Sequence, residues 1–440
     1  MDFSVPAKQR WIPWFLLVGI TAAAQRVILW FSHYPPGIYP DTGGYRRLAG
    51  TILGGWKFYD GTRPPGYPLW MAWIGPDAQV YLSQLVMGLA ITLMFFFVGW
   101  QAARSPAFGA AAGLAHTLNL GQLFFESNLL SETLATTWLA LVLVCVWFAL
   151  RGGRRQWAAW LGAGFFAALA GITRSLFLFM PLWVALFLAL ARTRFNWRPL
   201  LIASLPGIVI IGLWVNFIYQ RYGILSVTTI GGFHLVQHTG QWFELLPPED
   251  ALLRDIFLQH RAVQIAKTGS PGNTIWDAVP DMMKASGLAF TQLSSELARL
   301  SLKLIWQHPD RYLVSVLDGW QLFWHAPVYW QPEAVANASP RGLLEAVILA
   351  ERGVLVAANL AFLASSVLAL TWRRWRSRLG ITPWWAFLIL TVWLTSLVQT
   401  LPDHGDNPRF LVPLQSWVVI WVLWVLWRTV KKPVGHSATM

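Results

Sequence analysis

Long apolar stretches alternate with short polar connections along the whole chain. A helix that crosses a membrane needs about 20 predominantly apolar residues, and ten stretches reach or approach that length. They lie at 11–31, 79–102, 106–124, 128–150, 156–172, 174–192, 199–219, 343–371, 382–401 and 409–428. The pattern predicts an all-α polytopic membrane protein with about ten transmembrane helices.

Basic residues collect in every second connection between these stretches. When the ten spans are threaded through a membrane, one face receives Lys8, Arg10, Arg104, Arg151, Arg154, Arg155, Arg192, Arg194, Arg198, Arg373, Arg374, Arg376, Arg378, Arg428, Lys431 and Lys432. Cytoplasmic loops carry an excess of lysine and arginine. We therefore expect this face to be cytoplasmic, with both termini on it, in the plasma membrane, which is the inner membrane of a bacterium.

The composition agrees with a membrane protein, since 56% of the 440 residues are hydrophobic and 12% are charged. Basic loops that face anionic lipid explain the formal net charge of +13, so no nucleic-acid partner is expected. The single cysteine, Cys145, excludes an internal disulfide. The first apolar stretch resembles a signal peptide, but it continues past Arg26 to Phe31, which favours a retained helix.

The predicted topology places two long connections on the outer face, at 32–78 and at about 220–342. They suggest a chain in three parts. A transmembrane catalytic module is expected at 1–220, an outer-face subdomain at 221–342, and a C-terminal transmembrane part with a short cytoplasmic tail at 343–440.

Short amphipathic helices are predicted in both outer connections. In the first, 43–55 is predicted to lie as a helix at the membrane interface. In the second, four leucines share one helical face, namely Leu293, Leu297, Leu300 and Leu304. The segment 309–326 is interpreted as another interfacial helix and not as an eleventh span, because Asp318 and Gln321 interrupt it.

Three arginines are expected on the outer face. Arg63 lies in the first long connection, Arg174 in a tight turn between two spans, and Arg409 at the start of the last span. Arginine presents a planar fork of donors that suits phosphate, so the three together are expected to hold an anionic headgroup. For each of them alone, snorkelling at the interface is the alternative.

Acidic residues accompany these arginines. Asp41 precedes the first interfacial helix, where a capping role is the alternative to a functional one. Glu132 is expected about a turn and a half inside an apolar helix, a depth at which an ionisable side chain usually faces a polar cavity or a partner. A structural ion pair is the alternative for Glu132, and Glu126 is expected at the water boundary.

The motifs around these residues resemble those of the GT-C glycosyltransferases. The similar segments are Asp-Thr-Gly-Gly-Tyr at 41–45, Arg-Pro-Pro-Gly-Tyr-Pro-Leu-Trp at 63–70 and Ser-Glu-Thr-Leu-Ala-Thr-Thr-Trp-Leu-Ala at 131–140. The nearest resemblance is to bacterial members related to protein mannosyltransferases and to the aminoarabinose transferase of lipid A, mainly over 1–220. It implies a multi-span enzyme that transfers a sugar from a polyprenyl-phosphate carrier to an acceptor on the outer side.

The resemblance also implies individual roles. Asp41 matches the acidic residue at the family's reaction centre, Arg63 the basic residue that contacts the carrier phosphate, and Glu132 an acidic residue at the start of the fourth helix. Thr62 stands where the family has an acidic residue. The long C-terminal soluble domain of larger members has no counterpart, so acceptor recognition is expected in the outer connection after the seventh span.

These observations predict a membrane glycosyltransferase of the cell envelope. It would take a hexose or pentose from a polyprenyl-phosphate donor to a lipid, glycan or protein acceptor, with inversion at the anomeric carbon. Asp41 is expected to be the general base on the acceptor, and Arg63 to pair with the carrier phosphate. The full set of expected site residues is Asp41 and Glu132 for catalysis, with Arg63, Tyr45, Tyr67, Glu126, Arg174 and Arg409 for substrate binding.

No cofactor is firmly predicted. A divalent cation, Mg²⁺ or Mn²⁺, stays open because Asp41 with Glu132, or Asp403 with Asp406, would offer the oxygen ligands that such ions prefer. No Walker loop, dinucleotide fingerprint or zinc-ligand spacing is present in the sequence, which argues against a nucleotide-driven pump.

A transporter or flippase of a lipid-linked anion is the main alternative function. In that interpretation Glu132 and the outer arginines would move the substrate across the membrane. The sequence shows no inverted repeat, and its candidate residues concentrate at one face and not at the midplane, which favours the enzyme. A non-catalytic scaffold would leave the loop that carries Asp41 and Arg63 without a role.

Overall fold

The protein is all helical in the computed structural model, which describes residues 11–191, 194–331, 341–405 and 407–430. Nineteen α-helices lie in these ranges: α1 (Trp11–Ser32), α2 (Pro40–Leu53), α3 (Gly66–Ile74), α4 (Asp77–Ala103), α5 (Pro106–Thr117), α6 (Leu120–Ser127), α7 (Glu132–Arg151), α8 (Gln156–Thr173), α9 (Met180–Leu190), α10 (Trp197–Tyr222), α11 (Gly231–Thr239), α12 (Ala251–Thr268), α13 (Thr274–Ser286), α14 (Phe290–Gln307), α15 (Pro309–Phe323), α16 (Arg341–Thr371), α17 (Arg373–Leu379), α18 (Pro383–Thr400) and α19 (Asn407–Val430). Three short 3-10 segments lie at Ser175–Phe177, Gly240–Leu245 and Pro248–Asp250.

Seven of the described helices are long and apolar enough to cross a membrane, judged by length and composition. These are α1, α4, α7, α10, α16, α18 and α19. The prediction of an all-α polytopic membrane protein is therefore confirmed.

The other three predicted spans are not among these seven. The stretch 106–124 divides into α5 and α6, because the Asn119 side chain accepts a hydrogen bond from the Gln122 amide and begins a new helix. The stretch 156–172 forms one continuous helix, α8, whose 18 residues equal the length of α18. The stretch 174–192 begins with a 3-10 turn before the 11-residue α9.

The spanning helices form a centre and a periphery. In α7, α18 and α19 about 60% of the residues in the most apolar 18-residue stretch are buried, whereas in α1, α10 and α16 the share is 22–28%. Large aromatic side chains fill the centre, among them Trp384, Trp385, Trp417 and Trp421, which are almost completely buried. The peripheral helices present exposed apolar faces that suit contact with lipid.

Two arginines of the predicted basic face are neighbours in the structure. At one face Arg428, near the end of α19, donates a hydrogen bond to the Arg378 carbonyl at 3.1 Å. Both arginines belong to the clusters that the threading places on one side. Part of those clusters, at Lys8, Arg10, Arg192, Lys431 and Lys432, lies outside the described residues. The assignment of the basic face to the cytoplasm stays a prediction.

The first outer connection carries two short helices, α2 and α3. The predicted helix at 43–55 is confirmed, although it begins earlier, at Pro40. Asp41 does not cap it. Tyr39 is the N-cap residue, and its amide donates to the Thr42 hydroxyl at 3.0 Å. The Asp41 carboxylate is therefore available for contacts outside its own helix.

The second outer connection packs around a small core of its own. Leu293, Leu297, Leu300 and Leu304 of α14 are buried there, as their spacing predicts. The helix α15 has 15 residues and is not among the seven described helices that could span. It lies over the outer end of α18, where Tyr312 donates to the Leu401 carbonyl at 2.6 Å. The three-part division of the chain stays a prediction.

Candidate active site

Two arginines hold the Asp41 carboxylate from different elements. Arg63 Nη2 donates to Asp41 Oδ1 at 2.6 Å, and Arg409 Nη1 donates to Asp41 Oδ2 at 2.6 Å. Arg63 comes from the connection between α2 and α3, and Arg409 is the third residue of α19. Residues 368 positions apart in the sequence therefore meet at one carboxylate.

Glu132 also pairs with two arginines, but through a single oxygen. Its Oε1 atom lies 2.5 Å from Arg174 Nη1 and also accepts a hydrogen bond from Arg409 Nε. Glu132 has no exposed surface, and it is the first residue of α7. The expectation that it lies a turn and a half inside a helix is wrong, because the preceding residues 128–131 are not helical.

Together these five residues form one cluster, which we call the outer charge cluster: Asp41, Arg63, Glu132, Arg174 and Arg409. Three guanidinium groups face two carboxylates, so the outer charge cluster carries one positive charge in excess. Burial raises the pKa of Asp41, but Arg63 and then Arg409 outweigh burial and hold that pKa below its usual range. The Asp41 carboxylate is consequently ionised at neutral pH.

Aromatic and hydroxyl side chains line the outer charge cluster. The Arg63 guanidinium lies 4.9 Å from the centre of the Tyr45 ring. The hydroxyl groups of Tyr45 and Ser131 are 3.0 Å apart, and Arg174 donates to Ser131 at 3.3 Å. Tyr67 packs edge-on against Tyr45 at 4.8 Å between ring centres. The structure thus brings Tyr45 to the cluster and puts Tyr67 behind it.

Local turn chemistry sets the position of Arg63. The Asp60 carboxylate accepts hydrogen bonds from both the amide and the hydroxyl of Thr62, at 2.9 and 2.7 Å. Tyr59 donates its hydroxyl hydrogen to the Arg63 carbonyl at 3.0 Å. A Cβ atom at Gly44 would lie 3.1 Å from Arg63 Nε. The glycine in α2 therefore leaves room for the Arg63 side chain to cross the helix.

Glu126 lies in a separate buried pair. It accepts a hydrogen bond from Arg26 Nη2 at 2.6 Å, and His116 Nε2 lies 3.7 Å away. Its side chain is 2% exposed, so the expectation that it lies at the water boundary is wrong. Arg26 lies in α1, 100 positions before Glu126 in the sequence, so no local pattern indicates the pair. Among the described residues no ion pair joins Glu126 to the outer charge cluster.

The carboxylates proposed as metal ligands do not fit a divalent cation. Asp41 and Glu132 each lie between two guanidinium groups, and this positive surrounding disfavours a cation. Asp403 accepts from His234 at 3.0 Å with one oxygen and from the Gly405 amide at 2.9 Å with the other. Asp406 lies outside the described residues. Within the described ranges no group of three or more histidine, cysteine or acidic residues could hold a metal ion.

Sequence reasoning missed His234, although it lies near the outer charge cluster. His234 is in α11 and pairs with Asp403, which is in the connection between α18 and α19. The two residues are 169 positions apart in the sequence. No spacing motif could have indicated the pair, because it forms only when the second outer connection folds over the last two helices.

Comparisons with known proteins give a limited picture. No protein-family model matches the chain, and no curated protein matches it. The chain is similar to a solved structure, the crystal structure of ArnT from Cupriavidus metallidurans bound to undecaprenyl phosphate. The two are 14% identical, and the match covers 93% of this chain and 78% of that chain with a TM-score of 0.39. A likeness of this degree carries no inference about chemistry, which must come from the site itself.

Proposed function

We propose that this protein is a membrane glycosyltransferase that moves a sugar from a polyprenyl-phosphate carrier to an acceptor at the outer face. The observation that carries the proposal is the outer charge cluster, in which three guanidinium groups converge on two carboxylates at one end of a helical bundle. Its excess positive charge matches the single negative charge of a sugar phosphodiester.

The carrier phosphate is held by Arg63 and Arg409. Arginine forks form short, charge-assisted hydrogen bonds to phosphate oxygens, and the side chains of these two residues are already ordered by Asp41. Arg409 lies at the start of the membrane helix α19 and Arg63 bonds to the same carboxylate, so both lie where the headgroup of a lipid would lie. The carrier class is the one that is named for the ArnT structure, which was bound to undecaprenyl phosphate.

The reaction is a single displacement. The oxygen of an acceptor hydroxyl forms a bond to the anomeric carbon, and the bond from that carbon to the phosphate oxygen breaks. The phosphate leaves with the electron pair, and the guanidinium groups of Arg63 and Arg409 stabilise its additional charge. Attack from the face opposite the leaving group inverts the anomeric carbon. Because phosphate is a stable leaving group, no strong acid is required.

Asp41 is the general base that the sequence predicts for this displacement. In the structure both of its oxygens accept hydrogen bonds from guanidinium groups. For Asp41 to accept a proton, the carrier phosphate must first draw Arg63 or Arg409 away from it. We derive no step through a metal ion.

The first test is the binding of radiolabelled undecaprenyl phosphate to the purified full-length protein in detergent. A hydrogen bond to a charged group contributes about 1.5–3 kcal/mol, so Arg63→Ala should weaken binding roughly ten- to a hundredfold. Arg154→Ala is the matched control, because it removes the same charge from an exposed position at the opposite face. Equal affinity in wild type and both variants would contradict the phosphate site.

The second test is turnover with a panel of undecaprenyl-phosphate hexoses and pentoses, with a cell-envelope extract that supplies acceptor hydroxyls and with release of undecaprenyl phosphate as the readout. At least one donor should be consumed by the wild type. If no donor is consumed, and a lipid-flipping assay in vesicles responds to Glu132→Gln, the protein is a transporter of a lipid-linked anion and not a transferase.

A further inference from the structure

The displacement needs a group that takes the proton of the acceptor hydroxyl, and the carboxylates of the outer charge cluster are poorly suited to it. Until the carrier phosphate displaces an arginine, both oxygens of Asp41 accept hydrogen bonds from Arg63 and Arg409, and these arginines keep its pKa low. A carboxylate with a lowered pKa is a weak base. Glu132 has no exposed surface at all, so an acceptor hydroxyl cannot reach it.

His234 meets the requirements that these carboxylates do not. Its Nδ1 atom lies 3.0 Å from Asp403 Oδ2, and its side chain is 31% exposed, whereas that of Asp403 is 10% exposed. Among the described residues its Nε2 atom has no hydrogen-bond partner. A histidine whose one nitrogen is bonded to a buried carboxylate and whose other nitrogen is free has the arrangement of a general base.

The chain fixes His234 beside the outer charge cluster from two directions. Just before α11, Thr229 donates its amide hydrogen to the Gly61 carbonyl at 3.0 Å, and Thr228 donates its hydroxyl hydrogen to the Thr62 carbonyl at 3.0 Å. These bonds join the start of α11 to the turn that presents Arg63. The segment before His234 is therefore anchored to the same loop as the phosphate-binding arginine.

The second direction is the connection between α18 and α19. It places Asp403 against His234 and, six residues later, Arg409 against Asp41. One short segment thus supplies a partner to the histidine and a guanidinium group to the outer charge cluster. The charges of Arg63 and Asp41 both act on the imidazole of His234.

We propose that His234 is the general base that accepts the proton of the acceptor hydroxyl, and that Asp403 is its positioning residue. This assignment rests on the proposed function and deepens it. As the hydroxyl oxygen bonds to the anomeric carbon, its proton passes to His234 Nε2, and the phosphate leaves with the electrons of the broken bond. The resulting imidazolium is stabilised by the ionised Asp403, and it returns the proton to water after the product leaves.

The charges around His234 indicate how activity should depend on pH. Burial lowers the pKa of His234, but the Asp403 carboxylate outweighs burial, so the pKa lies above its ordinary value near 6.5. Arg63 lowers this pKa and Asp41 raises it. From α13 the Trp276 ring faces the imidazole, and α11 itself carries His238 one turn further on. Activity should therefore rise with pH as His234 loses its proton, with a midpoint above about 6.5.

The experiment compares turnover and undecaprenyl phosphate binding in the purified full-length protein. His234→Gln should lower turnover about a hundred- to ten-thousandfold while leaving carrier binding unchanged. The matched control is His260→Gln, since His260 also pairs with an aspartate, Asp281, at 2.9 Å but lies on the surface of α12. The control should keep wild-type turnover. Turnover in His234→Gln equal to that of the wild type would overturn the assignment.

Two further variants separate a chemical role from a structural one. In His234→Ala, added imidazole should restore part of the turnover. Asp403→Asn keeps an oxygen that accepts a hydrogen bond from the Gly405 amide. Because the negative charge of Asp403 raises the pKa of His234, its loss should move the rise of turnover with pH to lower pH. A pH profile that is unchanged in Asp403→Asn would contradict the proposal. If Asp41→Asn abolishes turnover with binding kept, and imidazole restores nothing in His234→Ala, the base is Asp41.

Failure of the proposed function has a different signature. If the wild type binds no undecaprenyl phosphate, or consumes no donor of the panel, both the function and this assignment fall together. If the wild type consumes a donor and the His234 variants consume it at the same rate, the proposed function stands and the base assignment is overturned.

Discussion

At the scale of single residues, the outer charge cluster is held together by shared partners. Arg409 bonds to both Asp41 and Glu132, so the two carboxylates are coupled through one side chain. Buried charges are tolerated only when they are paired, because removing them from water is costly. Each member therefore depends on the others, and the loss of one leaves opposite charges uncompensated.

Glu132→Ala tests this dependence. It leaves Arg174 and Arg409 without their buried partner, and breaking such a pair costs about 3–5 kcal/mol. We expect the free energy of unfolding, measured by titration with a denaturing detergent, to fall by about that amount. The control is Glu345→Ala, which removes an exposed carboxylate from α16 and should leave stability unchanged. A Glu132→Ala protein as stable as the wild type would show that the pairing contributes nothing.

At the scale of elements, the helices are packed where small residues allow their backbones to approach. A Cβ atom on Gly164 of α8 would lie 1.9 Å from the Ala203 carbonyl oxygen of α10. Close approach at small residues is the usual way in which membrane helices associate, because lipid offers no hydrophobic drive for helices to come together. The α8 and α10 contact is therefore specified by a glycine and an alanine.

Gly164→Ala should separate α8 from α10 and lower the midpoint of thermal unfolding. A carbonyl oxygen of the backbone cannot move aside as the end of a flexible side chain can. Gly212→Ala in α10 is the matched control, because nothing lies within 4 Å of its added Cβ atom. Alanine is the better helix former, so this control should be neutral or slightly stabilising. Equal midpoints in the two variants would contradict the packing account.

The hydrophobic pattern of the sequence was sufficient to predict some helices but not the boundaries of others. The leucine face of α14 follows from spacing alone, since one amphipathic helix needs no information from elsewhere in the chain. The stretch 106–124 was predicted as one span, because apolar residues continue on both sides of Asn119. The structure breaks it there, since the Asn119 side chain caps a new helix. The number of apolar residues in a stretch does not reveal an N-cap residue inside it.

At the scale of the whole molecule, alternate connections gather at opposite faces. The connections that carry Asp41, Glu132, Arg174 and Arg409 meet in one cluster, although they are far apart in sequence. This arrangement agrees with a threading in which successive spans reverse direction. The orientation of the bundle in its membrane stays a prediction from the positive charge of one face.

Cysteine labelling tests that orientation. In a Cys145→Ala background, Lys267→Cys places a thiol on the exposed end of α12, and Arg154→Cys places one at the opposite face. A membrane-impermeant maleimide should label Lys267→Cys in intact cells and Arg154→Cys only after permeabilisation. The reverse result would invert the topology and put the outer charge cluster in the cytoplasm.

The sequence by itself determined the all-α membrane class, the amphipathic helices of the outer connections, and most of the candidate residues. These follow from hydrophobic periodicity and from the cost of placing charge in an apolar environment, both of which are local properties. Only the tertiary structure decided how the candidates pair. It joined Arg409 to Asp41 and Glu132, moved Glu126 into a separate pair with Arg26, and brought His234 to Asp403. Such pairings depend on which helix ends become neighbours when the whole bundle packs, and no local pattern encodes that.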